Sequence, residues 1–303
     1  MALTRSALTD LVTAGFDKYY FDAIRTGMPS DAIFNESGSV KQSEKASGLI
    51  TGGHLSTKAE GTPKAPLNAY LGYDTELTHS TLAGYLELTE ELIEDDLSGT
   101  IRRLPSGLAN IAANTKEQQR INFLLTGFTT ANGGDGKTLW ATDHPKKSGG
   151  TWANRPSTEL DISPANYRAA RAAFYKMPDH YGVAREQVAS VALCAPEEFD
   201  YWNEIIKSSF VADSANRNES NWQNSVQVVQ SARWGISDTD QWALFTDKAG
   251  HGIIMYERLA PSVRALDNSD SDFATGNMRM QVRARWSVGD EMSGIGTWGT
   301  TGI

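Results

Sequence analysis

Between Gly27 and Pro66 the chain runs for forty residues on Gly, Ser, Thr, Lys and Glu, and stretches such as SGSVKQSEKASG and TGGHLSTKAEGTP hold few groups that could build a core. A segment of that length and composition is uncommon inside a compact domain. It belongs to an arm or long loop that is disordered or that acts on a neighbouring molecule. Whatever this chain folds into must therefore close its core without that stretch. Ahead of it, Leu8, Leu11, Val12, Phe16, Tyr19, Tyr20 and Ala23 fall at helical spacing, which predicts an amphipathic helix over residues 6–24. What remains of the 303 residues is enough for about two compact units.

Several function classes drop out on bulk properties. Hydrophobic content of 40%, with no apolar run of about 18 residues, excludes a membrane-spanning helix. Thr9, Asp10 and Thr13 interrupt the apolar segment a signal peptide would need, so the protein is expected to stay where it is made. A formal charge of -9 argues against a nucleic-acid binder driven by phosphate neutralisation. The single Cys194, in the apolar run Ser190–Ala195, can form neither an internal disulfide nor a CxxC metal site.

The pattern predicts an α+β protein. Leu82, Gly84, Leu86 and Leu88 alternate with polar residues as in a strand, which leads into the acids Glu90, Glu91, Glu94, Asp95 and Asp96. Residues 106–126 read as a long helix whose polar middle, Thr115 to Arg120, lacks an apolar anchor and is expected to be partly exposed. Ser163 and Pro164 cap a second helix carrying Tyr167, Ala170, Phe174 and Met177 on one face. A mixed block follows: strands at 188–195, 225–229, 242–246 and 252–257, with a helix from about Glu197. The clearest strand is the last, where Met278, Met280, Val282, Ala284, Trp286 and Val288 alternate with Arg279, Gln281, Arg283, Arg285 and Ser287.

Three constellations could carry chemistry. Gly136-Lys137-Thr138 follows a glycine-rich run like a nucleotide-binding loop, but the first required glycine is Ala131 and a helix, not a strand, precedes it. A turn leading into a strand at Thr138–Ala141 fits better. Asp143-His144 could be half of a hydrolytic triad, although no Gly-x-Ser-x-Gly is present and neighbours on an extended chain point to opposite faces. His54, His79, His180 and His251 are scattered without HExxH spacing, so no metal, cofactor or catalytic residue is assigned. The acids Glu94, Asp95 and Asp96 and the row Arg279, Arg283 and Arg285 are complementary, and they could meet within the chain or between subunits.

The order of three motifs is more specific than any one of them. Tyr85-Leu-Glu-Leu-Thr-Glu-Glu-Leu-Ile-Glu-Asp-Asp96, a helix ending Phe123-Leu-Leu-Thr-Gly-Phe128, and Asp135-Gly-Lys-Thr-Leu-Trp-Ala-Thr-Asp-His-Pro145 together resemble the major head subunit family of Mu-like tailed phages. The resemblance covers roughly Tyr85 to Tyr256, and the tryptophan-rich segment of that family is missing before the strand. It implies a Hong Kong 97-type capsid fold: N-terminal arm (1–50), extended β-hairpin loop (51–84), peripheral domain on a long spine helix (85–180), axial domain (181–261), and a return to the peripheral domain (262–303). It further implies a structural, non-enzymatic subunit that self-assembles into pentamers and hexamers around double-stranded DNA. Implied partners are a portal, a scaffold or protease, and decoration proteins; no membrane is involved, and the place of assembly is the host cytoplasm. An encapsulin-type compartment of the same fold is the alternative, and a hydrolase using Asp143-His144 is the alternative from another class.

Overall fold

The computed structural model of the chain describes residues 27–47, 49–51, 55–64, 69–89, 95, 104–130, 133–208, 223–236, 238–266 and 278–302. The helix expected over 6–24 and all of the acidic corner except Asp95 lie outside them.

The polar stretch after Gly27 is more ordered than its composition predicts. Pro29–Ala32 makes one 3-10 turn, and Ile33 and Phe34 directly after it are fully buried, each worth about 1.5–3 kcal/mol of hydrophobic burial. The chain continues through β1 (Asn35–Gly38), β2 (Ser43–Ala46) and β3 (Leu49–Thr51), returns through β4 (Ala69–Leu71) and β5 (Thr75–Thr78), and enters β6 (Ser80–Leu88). β2 pairs antiparallel with β5 and β3 with β4. Backbone ladders need no apolar side chains, so a segment poor in core-forming groups can still be regular. The boundaries expected at 50 and 84 consequently fall inside the paired segments β3 and β6 rather than between units.

The long helix α1 (Leu104–Thr126) forms as expected, but its middle is anchored. Arg120 is fully buried and Glu117 is 3% exposed. The Arg120 guanidinium donates to Asp31 at 2.6 Å and to Ser30 Oγ at 3.1 Å, and it also pairs with Glu36. Glu117 accepts from the Ser30 backbone N–H at 3.3 Å and from its hydroxyl. Lys116 reaches Glu36 at 3.1 Å and Glu257 at 3.5 Å. The polar run thus clasps residues 28–36 against the helix, because a buried charge has to find partners of opposite sign.

Beyond the helix, Thr138–Ala141 forms no strand: Thr138 makes a single β-bridge, and the chain bends at Leu139 and Trp140. Leu139 and Trp140 are consecutive and both buried, a pattern no half-buried strand can present. Trp140 packs on Phe128 at 4.4 Å and on Trp234 at 5.9 Å between ring centroids. A short pair follows, β7 (His144–Pro145) with β8 (Thr151–Trp152). Helix α2 (Pro164–Tyr175) starts at Ser163, whose Oγ accepts from the Asn166 N–H at 3.1 Å. Next come β9 (Val191–Cys194), α3 (Phe199–Lys207), β10 (Gln227–Gln230), β11 (Trp242–Phe245), β12 (Ile253–Leu266), β13 (Met278–Asp290) and β14 (Thr297–Thr300).

Two four-stranded sheets organise these elements, in the orders β1-β12-β13-β6 and β10-β9-β11-β14. The first carries Met255, Met280, Ala284 and Trp286 buried beneath α1, and the Trp286 indole donates to Gln119 of that helix. Pro261 sits where the β12–β13 register shifts, the kind of irregularity at which a strand tolerates proline. The second sheet is covered on both faces. Ala192, Cys194, Trp242 and Leu244 join one core with α2 and α3, while Val191, Leu193, Ala243 and Phe245 join another with Ile121, Leu124 and Trp140. Double coverage is why Val-Ala-Leu-Cys and Trp-Ala-Leu-Phe are apolar at every position.

The C-terminal region divides between the sheets. β13 lies in the first, whereas β14 pairs with β11 at the edge of the second. On β14, Gly299 admits Trp140: a Cβ there would lie 2.7–2.9 Å from the indole ring. The boundary expected at 261 falls inside β12, a 14-residue strand.

Candidate assembly surfaces

The β2–β5 loop leaves apolar groups in solvent. Residues 55–64 are all exposed, and Val40, Leu55 and Leu71 are 90%, 84% and 76% exposed. Tyr85 on the edge strand β6 and Ile111 on α1 add 69% and 56%. Scattered exposed apolar residues are ordinary; here Leu71 lies on the β3–β4 ladder, Leu55 in the loop which that ladder closes, and Val40 on the crossing that leads into β2.

The guanidinium row is divided. Arg279 pairs in-chain with Glu87, directly across the ladder, at 3.2 Å. Arg283 is exposed, and among the described residues neither it nor Arg285 has an ion-pair partner. Nε of Arg279 and of Arg285 is buried without a hydrogen-bond acceptor. Asp95 is an exposed turn residue, while Glu94 and Asp96 lie outside the described residues. Asp95, the one corner acid among the described residues, forms no ion pair with the row there.

The Gly-Lys-Thr stretch is a turn. Gly136 adopts φ +76°, Asp135 Oδ1 accepts from the Lys137 N–H at 3.0 Å, and the Lys137 ammonium pairs with Asp143. Asp143 therefore faces outward, away from its neighbour His144, which is fully buried. The His144 ring stacks on Trp152 at 4.5 Å, with Nδ1 2.7 Å from Asp135 Oδ2 and Nε2 3.1 Å from Asn154 Oδ1. Both nitrogens are engaged in structural contacts, so Asp143-His144 forms no proton relay and the hydrolase alternative loses its site.

Asn154 organises that node, and nothing in the sequence pattern singled it out. Its Nδ2 donates to the Leu139 and Gly294 carbonyls at 2.8 and 3.1 Å, which fixes the amide so that Oδ1 accepts from the Ala141 N–H at 2.9 Å and faces His144. Asp290 closes the node from β13. It is buried, which raises its carboxyl to about 6, against the lowering effect of the Gly294 and Met292 N–H groups that it accepts. Spacing could not reveal this set, because Asp135, His144, Asn154 and Asp290 meet only in three dimensions.

No helix among the described residues is long and apolar enough to cross a membrane. No curated protein matches the sequence. Among solved structures, the procapsid of bacteriophage JBD30 is similar, with a TM-score of 0.56, 16% identity, and 99% of this chain and 77% of that chain covered. The capsid of cyanophage P-SCSP1u gives a TM-score of 0.57 at 10% identity, covering 90% and 87%. The JBD30 capsid decorated with minor capsid protein trimers gives 0.55 at 14%, covering 77% and 99%. Identities this low speak for the fold, which is the Hong Kong 97-type. The profile described as phage capsid protein matches residues 72–295, about three quarters of the sequence, and the chain accordingly belongs to the phage capsid protein family as a structural head subunit.

Proposed function

We propose that this subunit assembles into pentamers and hexamers that close into an icosahedral shell around double-stranded DNA, with assembly in the host cytoplasm. The observation that carries the proposal is the loop built on the β2–β5 and β3–β4 ladders, with Leu55 and Leu71 in solvent and Val40 exposed on the crossing before β2. Such a loop gains burial only on another copy, and many modest contacts repeated around a ring add up through avidity. Its work is association rather than catalysis. In this reading the first sheet with α1 forms the peripheral domain, the second sheet with α2 and α3 the axial domain, and residues 43–78 the extended loop. Arg283 and Arg285 receive carboxylates of a neighbour's Glu94, Asp95 and Asp96, since Arg279 is already paired at home. A net charge of -9 suits a container that encloses DNA without gripping it. Portal and scaffold or protease partners follow from the same reading, and the decorated JBD30 capsid supports a decoration partner.

Size-exclusion chromatography and negative-stain microscopy of the recombinant chain test this. Capsomers or shells are expected. A chain that stays monomeric at high concentration from low to high ionic strength, with and without scaffold, would sink the proposal. Reversing Arg283 and Arg285 to Glu should block assembly, and reversing Asp95 and Asp96 to Lys in the same chain should restore it.

A further inference from the structure

The extended loop leaves the body by two chain crossings: Ser39–Gln42 on the way out, between β1 and β2, and His79 on the way back, between β5 and β6. The crossings touch, with the His79 N–H donating to the Gln42 carbonyl at 3.4 Å. The His79 ring is buried there. Its Nε2 lies 3.0 Å from Ser39 Oγ on the outgoing crossing, and its Nδ1 lies 3.0 Å from Ser287 Oγ on β13. One imidazole thus ties both strands of the neck to each other and to the body sheet.

The hydroxyl partners fix where its proton sits. Ser39 Oγ donates to Glu44 Oε1 at 2.7 Å and already accepts from the Lys41 N–H at 3.2 Å. With its one hydrogen committed, Ser39 can only accept from the ring, so Nε2 carries the hydrogen and Nδ1 accepts from Ser287. The neutral ring satisfies every partner. A second proton turns Nδ1 into a donor, so the Ser287 hydroxyl has to turn round to accept and its own hydrogen loses its acceptor.

We propose that His79 is a proton-operated latch at the neck of the extended loop, closed when the imidazole is neutral and released when it is protonated. The groups that face it set the bias. Arg285 on β13 and Arg258 on β12 oppose a cation, whereas Glu44 on β2 favours one but is already engaged by Lys41 at 2.9 Å and by Ser39. Burial first, and then Arg285, hold the ring below the ordinary imidazole value. An open groove lined by Leu77, Thr78, Ser80, Gln119, Asn122 and Ser287 runs beside the neck.

Hydrogen exchange of the full, unassembled chain between pH 8 and pH 5.5, normalised for intrinsic rates, tests the latch independently of shell formation. Protection in β2 and β5 should fall by up to about tenfold per pH unit below about pH 6.5. His79→Gln should flatten that profile, and Ser287→Ala should lower protection already at neutral pH. A flat profile in the unmodified chain, or an equal slope in His79→Gln, overturns the proposal. Should His79→Gln fail to fold, the His79 ring is titrated by NMR in the unmodified chain, and a pKa at or above the ordinary value overturns it as well.

Discussion

Replacing Asn154 by Ala removes the side chain that satisfies most of the node beneath Trp140. Three buried groups lose their partner, the Ala141 N–H, the His144 Nε2 and the Leu139 carbonyl, while the Gly294 carbonyl keeps the N–H and hydroxyl of Thr297. Each buried polar group left unpaired costs about 1–3 kcal/mol, so even the lower end predicts a destabilisation of about 3 kcal/mol. At about 2 °C per kcal/mol for a chain of this size, the melting temperature should drop by about 6 °C. Thermal unfolding followed by circular dichroism measures the drop. The near-ultraviolet signal should change as well, because the His144 ring that stacks on Trp152 loses its Nε2 contact. Asn154→Asp is the sharper control. It is nearly isosteric but sets an oxygen against the Leu139 and Gly294 carbonyls, and it adds a negative charge beside Asp135 and Asp290, so it should be at least as damaging. An Asn154→Ala protein that melts within about 2 °C of the unmodified chain would refute the claim that a dry polar node holds these segments together.

Further outcomes follow from the same structure. Arg120→Leu should cost about 2 kcal/mol, because the half-exposed Asp31 and Glu36 can rehydrate, and residues 27–38 should be cleaved faster in limited proteolysis. Burial holds His251 down at about 4, so the unfolded chain takes up its proton first: its contribution to stability is complete above about pH 6.5 and is lost as the pH falls toward 4. His251→Asn should reduce that acid-side slope in denaturant titrations, and an unchanged slope would exclude the residue. Burial pushes the Cys194 thiol up to about 12, so the native chain should resist alkylation and react only when unfolded. Lys137→Ala removes a surface pair and should shift stability by no more than about 0.5 kcal/mol.

The legible parts of the fold were those where one local rule decides. Ser163 and Pro164 placed the start of α2, the alternation from Met278 placed β13, and the all-apolar runs placed β9 and β11. The polar middle of α1 misled because hydrophobic periodicity cannot distinguish solvated charges from charges clasping another segment, and the partners of Arg120 lie more than eighty residues away. Residue patterning alone did not place β1 to β5, and only the resemblance implied a β-hairpin loop at 51–84, since their order comes from backbone pairing across the loop and from Ile33 and Phe34. Thr138–Ala141 looked like a strand because Leu-Trp-Ala has strand propensity, yet Trp140 turns inward to fill the gap beside Gly299. The proposed contact residues were partly readable. Charge marked the arginine row, but only the ladder register showed that Glu87 has already claimed Arg279.

The β12–β13 hairpin also has a mechanical meaning. Its strands of 14 and 13 residues run past three separate cores, from Ile253 beside Trp140, through Met255 and Trp286, to Val263 and Met280. A pull along the strand axes loads the whole ladder in shear, so its hydrogen bonds share the force, whereas a pull across the end opens them one pair after another. A shell that swells under internal pressure stretches its wall tangentially. A subunit whose longest ladder lies along that tension resists as a tie-rod does, and one whose ladder lies across it fails as a zipper does. The orientation of this hairpin in the shell wall therefore decides in which of the two ways its ladder is loaded.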